Sequence, residues 1–143
     1  MIRLFAHDQG RKREDAMHGS CLCGRVAYQI RDTPRSVVGC HCTQCRKTSG
    51  HHVAATRVAS DKLDIQGGAN ITWYQSSDTA ERGFCANCGS QLFWRTFGSP
   101  NTSVMAGTID GQTGLTMDRQ LYPDTKGDYY ALPDVAVVDP STV

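Results

Sequence analysis

Hydrophobic and polar residues alternate in several short stretches of the chain, with the two-residue period of a β-strand. In residues 25–31, Val26, Tyr28 and Ile30 fall on one face and polar side chains fall around the other, which predicts a half-buried strand. Further apolar stretches, separated by turn-forming residues, predict strands at residues 37–39, 52–59, 63–65, 71–75, 90–97 and 103–109. The pattern therefore predicts a mainly β protein built from short strands.

One short helix of one or two turns is predicted at residues 43–49. Thr43 is suited to cap its beginning, and Gly50 is suited to end it. Three aromatic residues, Trp73, Tyr74 and Trp94, lie in predicted strands. We expect them to pack in the core rather than to form a surface for a substrate.

Residues 121–143 fit no single element, because Pro123, Pro133 and Pro140 interrupt any long helix or strand. One interpretation is a closing strand or a lid that uses the larger side chains of this segment: Tyr122, Tyr129, Tyr130 and Leu132. The other interpretation is a tail wrapped over the surface, which we prefer from Pro133 onward.

The length of 143 residues predicts a single domain, which we place at residues 19–143. Residues 1–18 are mostly polar and charged, and we expect a flexible N-terminal extension or an edge extension there. Residues 1–17 contain no apolar segment typical of a signal peptide or a membrane span. We therefore expect the protein to reside in the reducing cytoplasm, where disulfides are rare.

The charges are nearly balanced, with 15 Lys and Arg residues against 14 Asp and Glu residues and a net charge of +1. A protein that binds nucleic acid or an anionic membrane through its overall charge is usually much more basic. The composition therefore predicts neither a nucleic-acid partner nor a membrane partner, and it leaves the oligomeric state open.

All seven cysteines occur in three tight groups, which is typical of metal ligation because the ligands of one ion must lie close together. A disulfide framework is the alternative. The odd number of cysteines, the close Cys-x-Cys spacing and the lack of a secretion signal all argue against it.

The count of seven divides into a closed site of four ligands and an open site of three. The two outer pairs would form a closed, structural zinc site: Cys21, Cys23, Cys85 and Cys88. The central group would hold a catalytic zinc with one free position: Cys40, Cys42 and Cys45. A glycine follows each outer pair, at Gly24 and Gly89, and suits a chain that must turn back over a metal with a positive φ.

Zinc held by three thiolates is a weak Lewis acid, because sulfur donates more charge to the metal than nitrogen does. Such a site would suit a substrate thiolate as its fourth ligand, since coordination keeps the thiol ionised at neutral pH. A thiolate held there could add to a small carbonyl compound placed beside it.

Four motifs carry a resemblance to a known family. They are Gly19-x-Cys21-x-Cys23-Gly24-x-Val26-x-Tyr28, Cys40-His41-Cys42-x-x-Cys45-Arg46-Lys47, Arg82-x-Phe84-Cys85-x-x-Cys88-Gly89-Ser90-x-Leu92 and Gly107-Thr108-Ile109-Asp110. In order and spacing the chain resembles the glutathione-dependent formaldehyde-activating enzyme family from about residue 19 to residue 110. The resemblance implies an Mss4-like β-tent, in which short antiparallel sheets are tied together by a structural zinc.

The resemblance also implies a reaction, the addition of the glutathione sulfur to formaldehyde to give S-hydroxymethylglutathione. The protein would then be a carbon–sulfur lyase similar to S-(hydroxymethyl)glutathione synthase, with a labile catalytic zinc on the central cysteines. Arg46 and Lys47 follow these cysteines and are candidates to attract a carboxylate of a glutathione-like substrate. The alternative for both is a solvated helix face.

Two other functions remain open on the sequence. One is a non-catalytic zinc module that binds a protein partner, which would need only the four outer cysteines. The other is a thiol redox sensor, in which Cys42 and Cys45 form a Cys-x-x-Cys pair. His41 lies between two proposed ligands, so in an extended segment its side chain would point away from the metal. We leave His51 and His52 out of the site.

Overall fold

A computed structural model of the protein describes residues 16–143, which contain eleven β-strands, one α-helix and five short 3₁₀ turns. The strands are β1 Met17–Ser20, β2 Ala27–Ile30, β3 Val37–Cys40, β4 Val53–Ala59, β5 Leu63–Gln66, β6 Ile71–Gln75, β7 Ala80–Cys85, β8 Gln91–Thr96, β9 Asn101–Met105, β10 Met117–Leu121 and β11 Ala136–Val137. Helix α1 is Thr43–Ser49. The 3₁₀ turns are Ser60–Lys62, Gly68–Asn70, Ala106–Thr108, Pro123–Thr125 and Pro140–Thr142.

The strands form two sheets. The smaller sheet has the order β1-β2-β5 and is antiparallel throughout. The larger sheet has eight strands in the order β11-β10-β3-β4-β9-β8-β7-β6. This architecture confirms the mainly β prediction. The described strands pair antiparallel, as predicted, except at one edge of the large sheet, where β10 runs parallel to both β3 and β11.

The main hydrophobic core lies between the two sheets and contains residues from both. Tyr28 of β2 packs its ring edge against Phe93 of β8, with the ring centroids 5.4 Å apart. Val58 of β4 and Val104 of β9 complete the same cluster. Val26, Tyr28 and Ile30 are all buried, so the predicted strand does place one face on the core.

A second, smaller hydrophobic cluster contains Val53 and Ala55 of β4 and the central cysteines. Val53 and Ala55 are odd-numbered positions of β4, whereas Val58 of the main core is an even-numbered one. Because successive side chains of a strand point to opposite faces, the central cysteines lie on the face of the large sheet that faces away from the main core.

Most predicted elements are present, with shifted ends. The helix occupies the predicted residues and ends at Gly50, which has a φ of 80°. Its N-cap is Cys42 rather than Thr43, because the Cys42 sulfur accepts the hydrogen bond of the Cys45 N–H. The last predicted strand begins earlier, at Asn101, and ends at Met105, where a 3₁₀ turn replaces its second half.

The domain begins before residue 19. Met17 and His18 belong to β1, where they pair with Ile30 and Gln29 at the edge of the small sheet. Of the two alternatives predicted for this region, the edge extension and not the flexible one is what forms at these two residues. The rest of that predicted extension lies outside the described residues, apart from Ala16.

The end of the chain is tied to the large sheet. Strand β11 pairs with β10, and the Gln120 side-chain amide donates hydrogen bonds to the carbonyls of Pro133 and Val135, both at 2.9 Å. The surface tail predicted after Pro133 therefore contains a two-residue edge strand, and most of its other residues are exposed. No helix in residues 16–143 combines the length and the apolar character needed to cross a membrane.

Candidate metal centres and the adjoining cavity

The four outer cysteines converge on one point. Their sulfur atoms all lie within 4.8 Å of one another. The Cys21 and Cys23 sulfurs are 3.5 Å apart, and the Cys23 and Cys85 sulfurs are 3.7 Å apart. A tetrahedral zinc with Zn–S bonds of about 2.3 Å requires sulfurs about 3.8 Å apart. The donor set and the spacing therefore fit a closed zinc site, with Cys88 as the fourth ligand.

Two turns present these cysteines to each other. The first turn connects β1 to β2, and the second connects β7 to β8. Gly24 and Gly89, which follow the two pairs, have φ angles of 81° and 79°, so the predicted positive φ is confirmed at both. Ser90 links the turns, because its hydroxyl oxygen accepts the N–H of Leu22 at 2.9 Å and lies 3.2 Å from the Cys88 sulfur.

Local hydrogen bonds favour the thiolate form at this site. The pKa of Cys88 is lowered to about 5, first by the hydroxyl of Ser90 and then by backbone N–H groups of Ser90 and Cys23. The pKa of Cys23 is lowered chiefly by the side chain of Asn87. Thiolates are the form of cysteine that binds metal, so the surroundings of both sulfurs are suited to a ligand.

The three central cysteines also meet, with all three sulfurs within 4.8 Å of one another. Cys40 ends β3, Cys42 caps α1 and Cys45 lies in the first turn of that helix. The group offers three ligands and one open direction, the arrangement of a metal site that accepts a further ligand. In the structure all seven cysteines are free thiols, which excludes a disulfide framework in this state.

Contacts among the three thiols shift the pKa values of their sulfurs in opposite directions. The Cys40 and Cys45 thiols donate to Cys42, and these bonds, together with the backbone N–H groups of Cys45 and Gln44, lower the pKa of Cys42 to about 2. The pKa of Cys40 is raised, first by its hydrogen bond to Cys42 and then by its hydrogen bond to Cys45. A metal ion would displace the remaining protons.

His41 lies on the other side of the backbone from the two cysteines that flank it, as predicted. Its side chain is fully buried. The ring bonds to Tyr130 through Nδ1 at 2.5 Å and to Gln120 through Nε2 at 2.9 Å. His41 thus secures the Cys40–Cys42 segment against β10 and the C-terminal region, and it contributes no ligand to the group.

Arg82 is a site residue that the sequence analysis missed. It is 6% exposed, and its Nη2 donates to the Cys45 sulfur at 3.6 Å and to the Gln44 side chain at 3.4 Å. No carboxylate in residues 16–143 lies within 4.0 Å of its guanidinium. The cysteine group, in which the pKa of Cys42 is lowered, is therefore the source of negative charge that this buried cation contacts, through Cys45. The signal in the sequence was its place at the start of the third motif, three positions before Cys85, to which no role was given.

A cavity of about 560 Å³ opens beside the central cysteines. Its floor is the outer face of the large sheet, because the lining residues of β4 are the alternate positions Val53, Ala55 and Arg57. Met105 of β9 and Trp94 of β8 continue this floor. The cavity therefore joins the cysteine group to an apolar surface and to a basic residue on the same face.

The aromatic residues divide differently from the prediction. Trp73 does pack against the main core. Tyr74 is 60% exposed, because it follows Trp73 on the edge strand β6 and so points to the opposite, solvent side. Trp94 lines the cavity. The prediction of core packing is therefore wrong for Tyr74 and for Trp94.

The two basic residues that follow the central cysteines do not reach the cavity. Arg46 is partly buried and Lys47 is exposed, both on α1, and neither lines the cavity wall. Two other arginines, Arg35 and Arg57, do line it. His51 and His52 pack against Tyr130, apart from the cavity lining.

The fold and the two cysteine groups define a small β protein with one closed and one open candidate metal site. A family model for the glutathione-dependent formaldehyde-activating enzyme matches residues 16–125, and the chain belongs to this family. An uncharacterized lyase of Schizosaccharomyces pombe (strain 972) is 31% identical over 113 residues, which is 78% of this chain and 82% of that protein.

The architecture also recurs in a solved structure. The crystal structure of a Rhodobacter sphaeroides protein superposes with a TM-score of 0.60 at 23% identity, over 85% of this chain and 100% of that one. At this identity the likeness concerns the fold alone.

Proposed function

We propose that the protein is a zinc-dependent carbon–sulfur lyase that adds a thiol, with glutathione as the first candidate, to formaldehyde or a related small carbonyl compound. The single observation that carries the proposal is the group of three convergent cysteine sulfurs at the mouth of a cavity. Membership of the glutathione-dependent formaldehyde-activating enzyme family and the lyase name of the yeast relative support the same reaction type.

In this proposal the outer cysteines hold a structural zinc and the central ones hold a catalytic zinc. Cys40, Cys42 and Cys45 are the ligands of the catalytic ion, which would supply a fourth position where a substrate thiol is kept ionised. Three thiolates around a divalent cation carry a net charge near −1. Arg82, buried against Cys45, offsets that charge.

The cavity then brings the two reactants together. Its apolar walls, which include Met105 and Trp94, exclude water from the reacting atoms. The substrate sulfur forms a bond to the carbonyl carbon, the carbonyl π electrons move to oxygen, and that oxygen takes up a proton to give the hydroxymethyl thioether. The reverse reaction breaks the same carbon–sulfur bond.

Metal content tests the assignment of the two sites. Protein prepared under reducing conditions is expected to hold two zinc equivalents, one for each cysteine group. Cys42→Ser is expected to lose one equivalent and to remain folded. One equivalent that Cys42→Ser leaves in place would instead favour a zinc module without a catalytic site.

Thiol coordination and turnover test the reaction. In protein loaded with Co²⁺, addition of glutathione is expected to change the thiolate-to-metal absorption of the wild type but not of Cys42→Ser. Formation of S-hydroxymethylglutathione must exceed the spontaneous rate, because thiols and formaldehyde combine without a catalyst. An absorption spectrum that does not respond to glutathione, or a rate no higher than the spontaneous one, would refute the proposal.

A further inference from the structure

Two arginines face the cavity on the side away from the cysteine group. Arg57 lies on the cavity face of β4, and Arg35 precedes β3. The Arg35 backbone N–H donates to the Arg57 carbonyl at 3.0 Å, and the Thr56 hydroxyl donates to the Arg35 carbonyl. These two bonds hold the segment before β3 against β4 and place the two arginines side by side on neighbouring segments.

Neither guanidinium has an anionic partner in the described part of the chain. Arg35 donates only to backbone carbonyls, those of Ser36 at 3.2 Å and Ala55 at 3.4 Å. No carboxylate of residues 16–143 lies within 4.0 Å of Arg35 or Arg57. The nearby carboxylate of Asp118 is already engaged by Ser36 at 2.9 Å and by Arg119 at 3.2 Å.

The arrangement is electrostatically unfavourable without an anion. Burial, followed by the charges of Arg57 and Arg119, lowers the pKa of Arg35 to about 10. Arg35 therefore remains a cation at neutral pH, and it lies beside a second cation in a partly buried position. A carboxylate bound between them would relieve this repulsion and could accept paired N–H bonds from a guanidinium.

The spacing sets the length of the ligand. Cys40 pairs with Val53 across β3 and β4, and Arg57 lies four residues farther along β4. Four residues of strand span about 13 Å. The Arg35 guanidinium donates to the carbonyl of Ala55, which is two residues nearer to Val53 than Arg57 is. A tripeptide-sized molecule, with a reach of about 10 Å, can therefore place a thiol at the cysteines and a carboxylate at the arginines.

We propose that Arg35 and Arg57 bind a carboxylate of the substrate, so that the cavity selects an anionic, peptide-sized thiol. The inference rests on the proposed function only for the thiol end of the ligand. It gives the site a specificity that the cysteines alone do not have, because they would accept any small thiol.

Binding to the zinc-loaded protein, measured by calorimetry, tests the inference from the side of the ligand. Glutathione and S-methylglutathione carry the carboxylates, whereas glutathione diethyl ester lacks them. We expect the wild type to bind glutathione at least about tenfold more tightly than the diester, the effect of a lost charged hydrogen bond. Equal affinity for the two would overturn the inference. This comparison of ligands uses only the wild-type protein, so a misfolded variant cannot affect the result.

Variants test the residues. Arg57→Gln is expected to lower the affinity for glutathione and for S-methylglutathione by about tenfold and to leave the affinity for the diester unchanged. Arg57→Lys should retain part of the affinity for glutathione. Lys47→Gln is the matched control, because it removes the same charge from an exposed position outside the cavity lining. A loss in Lys47→Gln that equals or exceeds the loss in Arg57→Gln would overturn the inference.

S-Methylglutathione separates the two proposals, because its sulfur cannot bind as a thiolate. If glutathione binds no more tightly than S-methylglutathione, and both are weakened by Arg57→Gln, thiol coordination fails while the carboxylate site stands. If thiols change the Co²⁺ spectrum but Arg57→Gln binds glutathione as the wild type does, the carboxylate site fails while the proposed function stands.

Discussion

Arg82 brings a positive charge to a position that is 6% exposed, next to the Cys45 sulfur. A buried cation without an anion costs several kcal/mol, so the residue requires negative charge close by. The thiolate group provides it. The requirement would be mutual in the proposed metal site, because three thiolates on one divalent ion would leave an excess negative charge for the guanidinium to offset.

Arg82→Gln should therefore weaken metal binding at the central cysteines, by about 10- to 100-fold, the usual cost of removing a neighbour that supports metal ligands. The measurement is competition with a chelator, which reports the affinity of the weaker site. Arg95→Gln is a suitable control, because Arg95 pairs with Glu81 at 2.7 Å and stacks on Trp73, away from the cysteines. Equal losses in both variants would mean that Arg82 acts through the fold alone.

Tyr28 makes the free energy of unfolding depend on pH. Burial, which outweighs the hydrogen bond to Thr108, raises the pKa of Tyr28 to about 12 in the folded protein. In the unfolded chain this pKa is about 10. Below pH 10 both states keep the proton, and the stability is unaffected. As pH rises from 10 to 12 only the unfolded state loses its proton, so the folded state loses about 3 kcal/mol of stability.

The test is urea unfolding of the zinc-saturated protein between pH 9 and pH 12. Tyr28→Phe should be about 1 kcal/mol less stable at pH 9, because the 2.6 Å bond to Thr108 is lost, but should lose less stability above pH 10. Tyr74→Phe is the control, since Tyr74 is exposed. A wild type and a Tyr28→Phe variant that lose stability in parallel would contradict the assignment.

The outer end of the large sheet depends on close packing between β6 and β7. Trp73 pairs with Gly83 across the two strands, and its ring lies directly over the glycine. A Cβ at position 83 would come within 2.9 Å of ring atoms. The Trp73 ring also stacks on Phe93, with the ring centroids 6.3 Å apart, and the Arg95 Cζ lies 3.8 Å from its centroid. A shift of the ring would weaken both contacts.

Gly83→Ala should destabilise the protein by about 1–3 kcal/mol, the usual cost of overpacking. Chemical denaturation measures this, and tryptophan fluorescence reports whether the ring has moved. Gly107→Ala is the matched control, because a Cβ there meets nothing within 4 Å. Two alanine variants of equal stability would contradict the need for a glycine under the Trp73 ring.

The alternation of apolar and polar residues was enough to predict the strands that bury one face in the core. The alternation of Val26, Tyr28 and Ile30 predicts β2 because one face of that strand is buried. Strand β10, residues Met117–Leu121, was not predicted, because its sequence MDRQL alternates poorly and its strand form comes from parallel pairing with the distant β3.

The same distinction applies to the candidate site. The three central cysteines are close in sequence, so their grouping could be read directly from the spacing. The two outer pairs lie far apart in the chain, and the four ligands that a closed zinc site needs predicted that they meet. Arg57 and Arg82 come from strands far apart in the chain, and only the sheet order brings them to one face, through the paired row Arg57–Ser103–Trp94–Arg82. Arg46 and Lys47 were chosen for nearness in sequence, but the helix keeps them out of the cavity lining.

The two cysteine groups occupy different positions in the protein. The outer group joins the turn after β1 to the turn after β7, so Cys23 and Cys85, which are 62 positions apart (85 − 23), are held 3.7 Å from each other. This contact links the small sheet to the large one. The central group comes from one short segment of six residues, on the face away from the main core.

Metal removal should therefore affect the protein in two stages. A metal at the outer site closes a long loop and adds its binding free energy to folding, whereas a metal at the central site closes a short one. We expect a chelator first to remove one equivalent without loss of β structure, followed by unfolding when the second is removed. Circular dichroism combined with metal analysis at each chelator concentration follows both stages.

Substitution assigns the stages to the sites. Cys85→Ser should lower the melting temperature steeply or prevent folding, because it leaves a closed site with three ligands, whereas Cys42→Ser should melt close to the wild type. Ala86→Ser is the control for Cys85→Ser, because this exposed neighbour in the same turn supplies no ligand. If Cys42→Ser unfolds and Cys85→Ser melts like the wild type, the structural role belongs to the central cysteines. The outer four would then be the site that exchanges metal.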